Sequence, residues 1–255
     1  VSDWIKRRLP ELVEEHGVVG AQVAVLHNGE IVDAAAGVRN NVTNEPVTCD
    51  TLFQIGSITK VWTATLVMQL VNEGLLDLDR PVRDVLPAFR LADEEAASVI
   101  TPRHVLSHTA GFEGDLFFDT GNGDDMLEKY LELLAGAKQE TPPGELYTYS
   151  NSGFVVLGRI VEVLRGKPFH VVLRERLVDP LGLPTVATRH AEYSRQSLAE
   201  GHRNKDGDLM SWRVCASGSS PTCRPTRCRW IRTGSLASTA ARRSTSTSRQ
   251  ENKAR

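Results

Sequence analysis

Apolar residues recur along this chain at two different periods, and the change of period divides it. Ile5, Leu9, Leu12 and Val13 fall at three- and four-residue steps and predict a helix over 2–16. Residues 22–26 and 30–36 read as strands flanking His27-Asn28-Gly29. An Asn-Gly pair tolerates the two positive-φ positions of a tight turn, so an antiparallel hairpin is predicted. Residues 51–55, Thr-Leu-Phe-Gln-Ile, predict a short strand, Gly56 a sharp turn, and 58–73 a helix closed near Gly74. In that helix Ile58, Val61, Trp62, Leu66, Val67, Met68 and Leu70 leave little polar face, which predicts a central position. Helices follow over 102–107, 124–134, 152–164 and 168–177, with Pro142-Pro143-Gly144 breaking the chain between the second and third of these. Strands first and a helical block later predict an α+β fold, an antiparallel sheet lobe with an inserted helical lobe and the site between them. The remaining strands of such a sheet would return at the C-terminus.

Composition changes the picture at that end. The 255 residues, 40% of them hydrophobic, suffice for one sizeable core in one or two lobes, and the formal net charge is −2. That small value hides a split. From Ser211 to Arg255 there are ten Lys or Arg against the single acid Glu251, while the preceding residues hold twenty basic and thirty-one acidic groups. Fifteen of those forty-five terminal residues are Ser or Thr, too polar a stretch to offset its own ordering entropy. The chain is therefore expected to divide into a folded region over 1–210, incomplete in its sheet, and a disordered or frame-shifted tail over 211–255. One account of the tail is a basic arm for nucleic acid or an anionic surface. The preferred account is a reading frame shifted near Ser211 to Ser220, replacing the closing strands, so no nucleic-acid partner is expected.

No apolar run is long enough to span a membrane, and the first residues lack the apolar core of a secretion signal. The mature form of an exported protein would look the same, so localisation stays open with cytoplasm ahead of export, and nothing in the sequence speaks to oligomeric state. Cys49 stands apart from Cys215, Cys223 and Cys228, whose spacings match no zinc ribbon or finger, so no metal, cofactor or required disulfide is assigned. His104 and His108 lie four apart, but no Glu follows His104 as in a zinc-protease helix; a structural role is expected for both.

The candidate chemistry sits in two short motifs. Ser57 and Lys60 are three apart at the start of a predicted helix, so both side chains leave one face and the amine can reach the hydroxyl. A nucleophile at a strand-to-helix turn also gains from the free N–H groups of the helix N-terminus, which can stabilise an oxyanion. The plainer alternative is a capping Ser57 and a solvated Lys60. At Tyr149-Ser150-Asn151, extended geometry places Tyr149 and Asn151 on one side. A phenol can relay a proton and an amide can position a substrate or the lysine. Here the plainer alternative is a turn in which Asn151 or Ser152 caps the helix that follows.

Taken together, these motifs and their surroundings resemble the serine beta-lactamase and penicillin-binding-protein family, especially its class C and esterase-like branch. The resemblance runs from about residue 12 to about 210. It is carried by Gly-Ala-Gln-Val-Ala-Val-Leu-His-Asn-Gly over 20–29, Phe-Gln-Ile-Gly-Ser-Ile-Thr-Lys over 53–60 and Leu-Asp-Leu-Asp-Arg-Pro-Val over 76–82. Further blocks are Ile-Thr-Pro-Arg-His-Val-Leu-Ser-His-Thr-Ala-Gly over 100–111, Pro-Pro-Gly-Glu-Leu-Tyr-Thr-Tyr-Ser-Asn over 142–151 and Asp-Pro-Leu-Gly-Leu over 179–183. The resemblance implies a beta-lactamase/transpeptidase-like fold and a serine hydrolase working through an acyl-enzyme. It implies Ser57 as nucleophile, Lys60 as activating base, Tyr149 as proton shuttle and Asn151 as a hydrogen-bonding positioner. Whether lysine or tyrosine takes the Ser57 proton stays open, and a lysine base requires its pKa to fall by several units. The substrate would be a small molecule or peptide: a beta-lactam, a D-amino peptide or a carboxylic ester. The family's third motif, Lys-Thr-Gly or His-x-Gly, has no convincing counterpart. Lys205-Asp206-Gly207 reads as a hairpin turn, and Arg232-Thr233-Gly234 lies in a segment without strand alternation. An esterase, a D-aminopeptidase or a catalytically impaired penicillin-recognising protein are the alternative readings.

Overall fold

A computed structural model describes residues 2–189, 192, 198–205 and 208–212. Helix α1 (Ser2–Glu15) packs on a hairpin of β1 (Gly20–His27) and β2 (Glu30–Gly37). Gly20 pairs with Gly37 and His27 with Glu30, leaving Asn28 and Gly29 as a two-residue turn with φ of 52° and 82°. Both values lie in the left-handed region, where Asn and Gly carry the least strain, so the predicted turn chemistry sets the register. The face of the hairpin that includes Ala34 and Ala36 is buried. Leu26 and Ile31, paired in register, stand exposed on the other face.

The helical body is built on α2 (Thr59–Asn72) and α6 (Asn151–Arg165). Around α6 pack α2, α4 (Pro102–Leu106), α5 (Met126–Leu134) and α7 (Phe169–Leu173), the last continued by a π-helical turn over Arg174–Val178. Leu66, Val67 and Leu70 of α2 meet Val156, Leu157, Ile160 and Val161 of α6 in one core cluster. Each buried aliphatic side chain there contributes about 1.5–3 kcal/mol relative to exposure. Gly166, at φ 65°, ends α6 in the left-handed conformation that a Cβ would disfavour. Gly158 gives α5 room, since a Cβ there would lie 3.1 Å from Leu127 Cδ1. A short helix α3 (Glu94–Val99), capped by the Asp93 carboxylate, adds Ala97 to the core cluster that also holds Phe89 and Phe112.

Two expectations are corrected, and one element is added. Residues 51–55 are not a strand: only Leu52 forms a bridge, parallel to Leu198, because the described residues offer this segment no continuous strand to pair with. The α2 helix buries one face, Thr63, Leu66, Val67 and Leu70, while Ile58 beside its start and Val61 and Met68 within it are exposed. Helix α3, six residues long, is too short to show a period and was not predicted. Lys205 pairs with Asp208 between β3 (Gly201–Lys205) and β4 (Asp208–Trp212), as the hairpin reading of that segment requires. The predicted tail, 211–255, lies outside the described residues apart from Ser211 and Trp212, and the segment 232–234 lies outside them too. Among the described residues, no helix is long and apolar enough to cross a membrane.

Candidate active site

The N-terminal ends of α2 and α6 carry the two motifs, and they converge. Gly56 takes φ 51°, and residues Gly56–Ile58 make a 3₁₀ turn that runs directly into α2. Ser57 stands in the middle of that turn, exposed, one residue before Ile58, whose N–H donates back to Ile55 O at 3.1 Å. Its own N–H is thus among those a helix start leaves for an external acceptor. Lys60 lies in the first turn of α2. Its ammonium donates to Ser57 Oγ at 3.3 Å and to Asn151 Oδ1 at 2.5 Å, and it sits 4.8 Å from the centroid of the Tyr149 ring. The four residues singled out from sequence therefore form one cluster, two from each helix start.

The second motif shows why its two readings are compatible. Ser150 is extended (φ −127°, ψ 120°) and buried, and its hydroxyl accepts the Gly153 N–H at 2.9 Å as the N-cap of α6. The cap is Ser150, rather than Asn151 or Ser152. Because the capping residue is extended, Tyr149 and Asn151 leave the chain on the opposite side and face Lys60. The orphan N–H groups of Asn151 and Ser152 both donate to Gly114 O, at 2.8 and 2.9 Å, and the Ser152 hydroxyl donates to the same oxygen at 3.0 Å. A side chain at Gly114 has no room: a Cβ would lie 2.7 Å from Tyr149 O and 2.9 Å from Ser150 Cα. This close approach delivers the next residue, Asp115, to the site, where its carboxylate accepts from Asn151 Nδ2 at 2.7 Å.

Asp115 and His108 are the site residues that sequence reasoning missed. His108 stacks on the Tyr149 ring (centroids 4.5 Å apart, 27° between planes), and its Nδ1 accepts the Ser150 N–H at 3.0 Å. A structural role had been expected for it, without any link to Tyr149. The nearest sequence signal is the pair Gly111 and Gly114 around Phe112-Glu113, which marks a backbone forced close to something else.

The electrostatics follow from these contacts. Burial pushes the Tyr149 phenol up, but hydrogen bonds with Lys60 and Ser57 and the nearby ammonium charge outweigh it. The net displacement is downward from the ordinary phenol value, with Asp115 opposing. Burial, helped by the Lys60 charge, lowers His108 and keeps its imidazole neutral. Such a constellation can take a proton from Ser57, return one to a leaving group and hold an oxyanion at the helix start. Among the described residues, no three His, Cys, Asp or Glu side chains gather into a metal-binding cluster.

A serine three residues before a lysine at one helix start, with a Tyr-x-Asn at a second, defines a class of serine acyl-transfer proteins. Comparison with known proteins gives the family. A family model described as "Beta-lactamase" matches residues 5–244, and the chain belongs to the beta-lactamase family. Penicillin-binding protein 4 of Amycolatopsis lactamdurans is 45% identical over 206 residues, covering 81% of this chain and 54% of the relative. Esterase EstB of Burkholderia gladioli is 33% identical over 201 residues, covering 72% and 51%. Among solved structures, D-amino acid amidase from Ochrobactrum anthropi SV3, complexed with D-phenylalanine, superposes with a TM-score of 0.65 at 28% identity. That match covers 82% of this chain and 61% of the amidase. The fold is therefore of the beta-lactamase/transpeptidase type, and the chain spans about half the length of the curated relatives it matches.

Proposed function

We propose that this chain carries the acylating half-site of a serine hydrolase that cleaves an amide or ester through an acyl-enzyme. The observation behind the reading is the Lys60 ammonium, which reaches Ser57 Oγ and Asn151 Oδ1 together and lies 4.8 Å from the centroid of the Tyr149 ring. In the proposed cycle Ser57 Oγ attacks the substrate carbonyl and its proton passes to the Tyr149 oxygen. The downward shift of the phenol supports tyrosine in this role, with Lys60 stabilising the phenolate. The Ser57 N–H holds one side of the oxyanion. Tyr149 returns the proton to the departing amine or alkoxide as the C–N or C–O bond breaks. Water then adds to the acyl carbonyl, gives its proton to Tyr149, and Ser57 leaves with it. Asn151 fixes the Lys60 ammonium, and Asp115 fixes the Asn151 amide.

The substrate class follows from the relatives, which include a penicillin-binding protein, an esterase and a D-amino acid amidase. Their common substrate chemistry is a carbonyl bearing an amine or alkoxide leaving group. Three probes separate the readings: a chromogenic cephalosporin, a p-nitrophenyl ester and a D-amino acid amide. Turnover of any one that is lost in Ser57→Ala supports the proposal and names the leaving group. Covalent capture of penicillin without turnover supports a penicillin-recognising protein that acylates but does not hydrolyse. No turnover and no capture contradicts the proposal.

A further inference from the structure

His108 holds both neighbours of Tyr149. Its carbonyl accepts the Thr148 N–H at 2.7 Å, and its Nδ1 accepts the Ser150 N–H at 3.0 Å. Its ring lies stacked on the Tyr149 ring itself, 5.1 Å from the centroid of Phe154 in α6 and edge-on to Tyr147 at 5.7 Å. The main chain at His108 is also unusual. Three residues other than glycine carry positive φ among the described residues, Asn28, Asn44 and His108, all of types enriched in that uncommon region. His108 lies at φ 59°. A residue held in that conformation while its carbonyl, ring nitrogen and ring face all engage the Tyr149 segment is doing more than filling space.

We propose that His108 positions Tyr149, and that the site is competent only while this imidazole is neutral. The inference rests on the reading of Tyr149 as the proton-handling group. Its chemistry is simple. An Nδ1 that accepts a backbone N–H has no proton, so the neutral ring carries its hydrogen on Nε2. Protonation would place an N–H against the Ser150 N–H, break that bond and set a second positive charge beside Lys60. Lys60 from α2, and Tyr147 and Tyr149 from the segment before α6, are the titratable groups around the ring; α6 presents Phe154. Among the described residues, no carboxylate is one of them to compensate the imidazolium. Burial and the Lys60 charge already disfavour that form, so the ring is neutral at pH 7 and the loss falls below the ordinary histidine value of 6.5.

The test measures the rate of covalent labelling by a fluorophosphonate, read by intact mass between pH 5 and 8. It compares the chain with His108→Asn and His108→Phe. Asparagine suits the positive φ and its Oδ1 can replace Nδ1 as acceptor, but it neither stacks nor titrates. Phenylalanine keeps the ring and loses the acceptor. The unaltered chain should lose labelling on the acid side through two protonations, that of the Tyr149 phenolate and that of His108. His108→Asn should label about fivefold more slowly at pH 7.5, the worth of one aromatic contact, and should keep the shallower limb of Tyr149 alone. His108→Phe should label about tenfold more slowly or worse at every pH, because the Ser150 N–H is left unpaired. Thermal melts at each pH separate these effects from unfolding. An acid limb that persists unchanged in folded His108→Asn, or is absent from the unaltered chain, overturns the inference alone. Labelling that is absent, or that survives Ser57→Ala, overturns the functional reading and this inference with it.

Discussion

Single side chains decide whether this site can act. The Asn151 amide is oriented at both ends: Oδ1 accepts from Lys60 and Nδ2 donates to Asp115, so a flipped amide would lose both bonds. Asp115→Ala removes one anchor and should slow acylation of Ser57 about tenfold, the effect of one hydrogen bond to a charged group, with little change in melting temperature because Asp115 is exposed. Single-turnover labelling beside a thermal melt checks both parts. Tyr149→Phe keeps the ring against His108 and removes the oxygen; the labelling rate should fall by about 10²–10⁴. An unchanged rate would move the proton transfer away from tyrosine. Ser57, Lys60, Tyr149 and Asn151 were legible because each pair is encoded by local spacing, three residues along a helix and two along an extended segment. Asp115 and His108 were not, since they meet the second motif across 36 and 42 residues of intervening chain. No periodicity records such a contact.

At the level of elements, the site depends on how α6 begins. Its first N–H groups are satisfied by Gly114 O and the Ser150 hydroxyl, so the loop before Asp115 and the helix start are one hydrogen-bonded unit. Ser150→Ala should cost about 1 kcal/mol of stability, as an N-cap does, measured by denaturant titration. Gly114→Ala should separate these two segments, because its Cβ would meet Tyr149 O at 2.7 Å. Its labelling rate should drop more than its stability does; a rate equal to that of the unaltered chain would show that the close approach is not needed. The Asn-Gly hairpin and the long helices were readable because turn chemistry and sustained period are local properties. The strand expected over 51–55 failed for the complementary reason: strand formation needs a partner, and composition alone cannot supply one.

The whole molecule is tuned against acid. His104, His108 and His170 are each lowered from 6.5, with burial the first cause in every case. A histidine whose folded pKa is depressed binds its proton more readily in the unfolded chain. Stability is therefore fully present above about pH 6.5 and is lost as pH falls from there through the folded values. Glu73, Asp79 and Asp125 act in the same direction further down. Their folded pKa values are lowered by pairing with Arg165, Arg103 and Lys129, so their contribution holds above the ordinary carboxylate range and is lost as pH falls through the folded values. The denaturation midpoint should thus decline between pH 7 and pH 5, before the carboxylates titrate. A midpoint that is flat across that interval would contradict burial of the neutral imidazoles.

The central claim is that Ser57 is an activated nucleophile, and intact-mass measurement tests it most directly. The purified chain is exposed to a fluorophosphonate and, separately, to a penicillin, with Ser57→Ala alongside. The account predicts a single stable adduct on the unaltered chain and none on the variant. A folded chain that remains unmodified by either reagent, or a variant that labels equally well, would contradict it.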